Sequence, residues 1–303
     1  MPGMHKLSSR QWLVLVLLTI VWGINWPIMK YAVLDYPPLM FRSWCMGIGI
    51  ICLGLYMLAR REPFEVPKTE RRQLVQLAFG NMLIWHLFSI YAIKYLTSGR
   101  AAIIGYTMPV WALLASVWFF KGKFSWRGGI GVALALSATM LLAAEEFSSL
   151  IGKPLGLVFM LIAAMAWGLG TAMMNYFKLT VSNAALTFWM MCITYSFLFI
   201  GAILVEGHLW RWPRPGEWAA IWFNAIIVFG FCHVAWFRIA RKLPPVASSL
   251  SIMLIPVLGV FSGAWALNER VGIYDLGALV LILLSMGVVL LPKRQTKTVT
   301  PAE

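Results

Sequence analysis

Apolar residues fall in ten long runs along the chain, near 12–31, 38–59, 73–93, 99–120, 127–145, 155–176, 184–205, 217–238, 244–267 and 272–292, with short polar breaks between them. A helix needs about 20 apolar residues to cross the hydrocarbon of a bilayer, and each run is close to that length. None of the runs alternates with period two, as the strands of a membrane β-barrel would. The pattern predicts an all-α integral membrane fold of ten transmembrane helices.

The first run is interrupted by aromatic, amide and proline positions at Trp22-Gly23-Ile24-Asn25-Trp26-Pro27, and part of that interruption recurs. Trp22, Gly23, Met29, Tyr31 and Trp44 are matched 145 positions later by Trp167, Gly168, Met174, Tyr176 and Trp189. Further along, an offset of 147 pairs His86 with His233, Lys94 with Arg241, Leu96 with Leu243, Pro109 with Pro256, Val110 with Val257 and Leu134 with Leu281. Two related halves follow, 1–150 and 151–292, with a short disordered cytoplasmic tail over 293–303. Five spans per half is an odd number, so the halves enter the membrane in opposite senses. That is the inverted-topology repeat of many secondary transporters, which place the substrate between the halves near the midplane.

Composition agrees: 61% of residues are hydrophobic and only 12% charged, too few charges for a soluble globular protein. The net charge of +14 does not call for a nucleic-acid partner, because basic residues gathered in alternate loops are what the positive-inside rule produces. With the N-terminus cytoplasmic, 17 of the 25 Lys and Arg fall on the cytoplasmic side and 8 on the other, so both termini are expected in the cytoplasm. Cys45, Cys52, Cys192 and Cys232 all lie inside apolar runs, at spacings that fit neither a disulfide framework nor a metal site. The first run continues past Trp22 without a small-x-small cleavage site, and reads as a retained span rather than a signal peptide.

The stretch from Trp265 to Val288, with Glu269 in a loop, Gly277 inside the last run and Gly287 ten positions on, resembles the last hairpin of EamA-type proteins in the drug/metabolite transporter superfamily. Trp22-Gly23-x-Asn25 and Trp167-Gly168 look like the opening motif of that family, and Pro109 and Pro256 like its mid-helix proline. The resemblance covers nearly the whole chain, making each half one EamA-like five-helix repeat, and is nearest to aromatic amino-acid exporters of the YddG type. One departure is Gly122, which stands where the family often has a loop glutamate; Glu269 is therefore read as a structural loop residue. The resemblance implies a central cavity lined by spans one, three, four, six, eight and nine.

Polar groups at membrane depth are costly and face a cavity or a packed interface. Asn25, Asn81, His86, Thr171, Asn175, Asn224, His233 and Ser249 meet that description. His86 and His233 are repeat-related, titrate near neutral pH, and can either contact substrate or simply hydrogen-bond between helices. Trp22 and Trp167 line a cavity or belong to the interfacial aromatic belt, where Trp12, Trp118, Trp126, Trp210, Trp212 and Trp218 are expected. Tyr106 precedes Pro109 by about a turn, and Ser249 and Met253 precede Pro256; the two prolines are candidate hinges. The candidate substrate contacts are thus Trp22, Asn25, His86, Tyr106, Trp167, Thr171, His233, Ser249 and Met253. Trp85 is expected to meet lipid or a neighbouring span, and Lys94 and Arg241 to act as interfacial anchors.

No Asp or Glu falls in the middle of a run, which disfavours proton-coupled export of cationic drugs and suits a neutral or zwitterionic substrate. The expectation is a multi-pass transporter of a bacterial inner membrane that exports neutral, aromatic-leaning amino acids or related metabolites by alternating access. It would work as a facilitator and as a monomer, with a small-molecule substrate, the lipid bilayer as surroundings, and no cofactor or metal. A broad drug or metabolite efflux carrier, with or without proton coupling, is the alternative. A membrane-embedded enzyme would need clustered Asp, His or Cys near one interface, and two of the four histidines, His5 and His208, lie in the tail and a loop.

Overall fold

A computed structural model describes residues 9–122, 124–148, 154–232, 235 and 245–290, with side chains excepted at 9–10, 146–148 and 245–251. Its helices are α1 (Ser9–Asp35), α2 (Pro38–Arg60), α3 (Lys68–Tyr95), α4 (Ser98–Phe120), α5 (Trp126–Ser148), α6 (Pro154–Tyr176), α7 (Asn183–Glu206), α8 (Pro215–Cys232), α9 (Pro245–Leu267) and α10 (Ile273–Leu290). Among the described residues nine helices are long and apolar enough to cross a membrane, and α9 adds a shorter apolar stretch, Ile252–Leu267. No strand occurs among them. The expected end of α8 and the loop after it, including His233 and Arg241, lie outside the described residues, as do 293–303.

The chain breaks helices with residues suited to the job. Proline opens α2, α6, α8 and α9, where the missing N–H costs nothing. Lys121 and Asn268, 147 positions apart, close α4 and α9 in the same left-handed conformation, at φ 56° and 52°.

Carboxylates gather at helix ends, where free N–H groups attract negative charge. Glu206, at the end of α7, accepts from Leu39 N (2.9 Å) and Met40 N (3.0 Å) at the start of α2 and from the Tyr91 hydroxyl (2.8 Å). Glu269 accepts from Ser98 N (2.8 Å) and Oγ (2.7 Å) at the start of α4. Glu70 holds Thr180 N (2.9 Å) and Val181 N (3.1 Å) ahead of α7. Its counterpart 147 positions on, Glu217, takes Arg214 N (2.6 Å) and Arg211 Nη1 (2.7 Å), and raises the Arg211 guanidinium pKa above its usual value. The absence of mid-span carboxylates noted in the sequence thus has a structural side: these acids tie helix termini together.

The packing repeats along the chain. α1 lies on α9 as α6 lies on α4; α3 packs on α6 as α8 does on α1; α2 pairs with α7 and α5 with α10. Two repeat-related glycines set a matched pair of these crossings. Gly168 meets Trp111 and the backbone of Ala112, and Gly23 meets Leu258, the residue 147 positions after Trp111. In a membrane, where apolar burial gives no net drive between helices, such close backbone approach and its dispersion contacts hold a bundle together. Both halves also carry a π-helical stretch at the same place, Ala78–Leu83 in α3 and Phe223–Cys232 in α8. A π turn inserts an extra residue and turns the side chains beyond it, and it is frequent at functional sites.

Candidate functional site

Large rings crowd around small residues where α1, α3, α4 and α6 converge. Trp26 of α1 is buried and meets Tyr106 of α4 edge-on, with ring centroids 6.3 Å apart. A methyl group placed on Gly105 would touch Trp26 Cη2 at 3.0 Å, and Trp85 Cη2 and Met160 Sδ at 3.5 Å each, so a glycine here leaves room for three large side chains. Trp85 tilts against Trp167 of α6 at 5.1 Å. The sequence placed Trp85 against lipid or a neighbouring span; it faces the neighbouring span.

Beside this cluster the helix of α4 is interrupted. It runs Ser98–Gly105, turns through Tyr106 and Thr107, and resumes at Met108 with Pro109 in its first turn. Proline has no N–H to offer the preceding turn, and Thr107 bridges the two pieces of the helix beside it. Its hydroxyl donates to Ile104 O (2.7 Å) and accepts from Trp111 Nε1 (3.0 Å). Pro256, the repeat-related proline, is buried within an uninterrupted α9. The two candidate hinges therefore differ: α4 is already broken and α9 is not.

Polar candidates surround the rings. Asn25 is buried, and its Oδ1 has no hydrogen-bond partner among the described residues. His86, just past the π stretch of α3, is buried with its ring 5.5 Å from Phe229 of α8, which in turn closes on Gly49 of α2. Thr171 donates to Trp167 O (2.9 Å) within its own helix, and Asn81 Nδ2 reaches the same carbonyl at 3.4 Å. Trp22 and Trp167 are half-buried, as is Met253 against the core. Asn224 is buried and Asn175 exposed. The side chains of Ser249 and His233 lie outside the described residues. The structure thus brings Tyr106 and Trp167 into one aromatic group, buries Asn25 next to Trp26 in the chain, and turns the Thr171 hydroxyl back onto its own helix. Of the expected belt residues, Trp12, Trp118, Trp126, Trp210 and Trp212 are exposed, and Trp218 packs between Trp44 and Trp222.

Three residues of the region are hidden from a reading of sequence alone. Trp26 lies inside the interrupted opening stretch but has no visible partner until α4 is placed beside it. Trp85 lies just past a π turn, which shifts the direction of its side chain relative to the earlier part of α3. Arg42 looks like a charge at the edge of a loop, yet it stands inside α2 with 3% of its surface exposed. Its signal is a lone arginine four residues into an apolar run.

The sequence model of a family described as the EamA-like transporter family matches residues 10–144 and again 154–291. The chain is 24% identical over 275 residues to the Bacillus subtilis protein named Uncharacterized transporter YoaV, spanning 88% of this chain and 92% of that one. It is 23% identical over 292 residues to Uncharacterized inner membrane transporter YedA of Escherichia coli, 91% of each chain. A third relative, named Probable amino-acid metabolite efflux pump, also from Escherichia coli, is 20% identical over 290 residues, 91% of this chain and 93% of that one. A solved crystal structure superposes with a TM-score of 0.65 at 18% identity over 93% of this chain and 96% of that chain, which shows a common fold. The finer likeness to aromatic amino-acid exporters is not supported by these relatives, whose names give no aromatic substrate.

Proposed function

The chain belongs to the EamA-like transporter family, a family of multi-pass membrane transporters, and from that premise we propose that it exports neutral, aromatic-leaning amino acids or related small metabolites. The observation that carries this reading is the ring cluster of Trp26, Trp85, Tyr106 and Trp167, with the unpartnered amide oxygen of Asn25 buried one residue before Trp26. Aromatic faces accept a flat apolar side chain, and a buried acceptor without a donor favours a ligand that supplies one. The name of the Escherichia coli efflux relative points the same way.

The two segments 10–144 and 154–291 are the halves that rock about the site, with Pro109 and Pro256 as hinges and both termini in the cytoplasm. The carboxylates Glu70, Glu206, Glu217 and Glu269 are engaged at helix ends, which supports a facilitator over a proton-coupled carrier.

The test is efflux from proteoliposomes loaded with phenylalanine, tryptophan, threonine and a neutral drug, with and without a pH gradient. Phenylalanine and tryptophan are expected to leave fastest, without need of the gradient. Absence of amino-acid flux above empty liposomes would remove the substrate, and flux that requires the gradient would remove the facilitator. Trp26→Ala and His86→Ala are expected to slow efflux of protein that still reaches the membrane.

A further inference from the structure

Among the described residues Arg42 is a buried cation without a counterion. Its Nη2 donates to Met29 Sδ of α1 at 3.2 Å, and its Nε has no acceptor there. A thioether is a weak acceptor and carries no charge. Arg42 takes part in none of the ion pairs formed by Arg100, Arg211 and Arg214. Glu206, which reaches the start of α2 from the end of α7, is occupied by Leu39 N, Met40 N and the Tyr91 hydroxyl. An arginine inside a membrane span that meets no anion is expensive, and such residues mark substrate paths.

The partner that would relieve it is suggested by the helix it faces. Asn25 and Met29 are four residues apart on α1, on one face with Cβ atoms about 6 Å from each other. Asn25 Oδ1 is an acceptor without a donor, one turn along α1 from the Met29 that Arg42 touches, and Arg42 Nε is a donor without an acceptor. Trp26 and its ring cluster begin at the next residue. On α2 the face of Arg42 continues to Gly49, against Phe229 and so toward His86.

We propose that Arg42 binds the carboxylate of the substrate through its guanidinium, while Asn25 Oδ1 accepts from the ammonium group. An α-amino acid presents those two groups a few ångströms apart, with its side chain free to enter the aromatic cluster. The inference rests on the amino-acid reading above, and it adds the carboxylate as the group that the protein selects.

The test uses the purified full-length protein in detergent, titrated with phenylacetate and separately with phenylacetamide, and read by thermal shift. The two probes share ring and shape and differ in charge. Phenylacetate is expected to stabilise the protein at concentrations at least about tenfold below those phenylacetamide needs, the ratio one charge-assisted hydrogen bond supplies. Arg42→Met, which replaces the cation with an apolar chain of similar length, should abolish the difference. Arg42→Gln, which keeps a donor and loses the charge, should abolish it equally and serves if the methionine variant fails to fold.

Equal responses of the unaltered protein to both probes, or a carboxylate preference that survives in either variant, would overturn the proposal. Proteoliposome flux separates it from the substrate reading. Carboxylate binding that depends on Arg42, without amino-acid flux, keeps the site and removes the substrate. Equal flux of phenylalanine and phenylalaninamide, unaffected in Arg42→Met, keeps the transporter and removes the site.

Discussion

Gly168→Ala tests whether close backbone approach holds the two halves together. The new methyl carbon would lie 2.5 Å from Trp111 Cβ, 2.6 Å from Ala112 N and 2.8 Å from Trp111 C. Carbon atoms rest about 3.5–4.0 Å apart, so α6 must withdraw from α4 by about 1 Å. Two of the three atoms are backbone, and no change of rotamer removes the clash. Overpacking of this kind costs about 1–3 kcal/mol, and exchanging a helical glycine for alanine returns about 0.5–1 kcal/mol. A net loss of about 1–2 kcal/mol is expected. Gly201→Ala in α7 is the control. Its methyl would lie 3.6 Å from Leu39 Cδ1, an ordinary contact, so that variant should gain up to about 1 kcal/mol. Heating in detergent, followed by size-exclusion chromatography of the surviving fraction, gives both midpoints. A Gly168→Ala protein that melts with or above Gly201→Ala would refute the reasoning.

Other outcomes follow from single contacts. Thr171→Val should change efflux by less than about twofold, because the hydroxyl bonds its own helix at Trp167 O; a larger loss would put Thr171 in contact with substrate. Glu206→Gln replaces charged acceptance from Leu39 N, Met40 N and Tyr91 with a neutral amide, and should lower stability by about 1.5–3 kcal/mol. An unchanged melting midpoint would contradict that assignment. Arg100 ties Glu145 of α5 and Asp275 of α10 (2.7 Å) to the start of α4, beside a crevice of about 10 Å³ at Val271 that has room for one water. In Arg100→Gln the crevice should open, and a cysteine placed at Val271 should react severalfold faster with a maleimide. An unaltered labelling rate would show that the tie does not hold the crevice shut.

Much of this protein is legible in its sequence. Among the described residues the helix bounds agree within a few positions, because the bilayer acts on each span separately, demanding a set length of apolar chain and internal hydrogen bonding. The repeat is legible through residues that geometry requires twice, such as Gly23 and Gly168 at the two tight crossings. The candidate site is less legible. Tyr106, Trp167 and Asn25 stand out by their type and their place near glycine and proline, whereas Trp26 and Trp85 are lost among sixteen tryptophans.

The order of helices, their lengths and the two-half plan were thus determined by sequence alone, since hydropathy and repetition are properties of the chain in one dimension. Which side chains meet was decided only in three dimensions. Two π stretches shift the angular register of α3 and α8, an interrupted α4 turns Tyr106 toward Trp26, and crossings at glycines set how near the helices come. Arg42 shows the difference most clearly. Along the chain it is one basic residue near the end of a span. In the folded protein it is a cation with no counterion among the described residues, because α1 presents the Met29 sulfur where a carboxylate would have neutralised it.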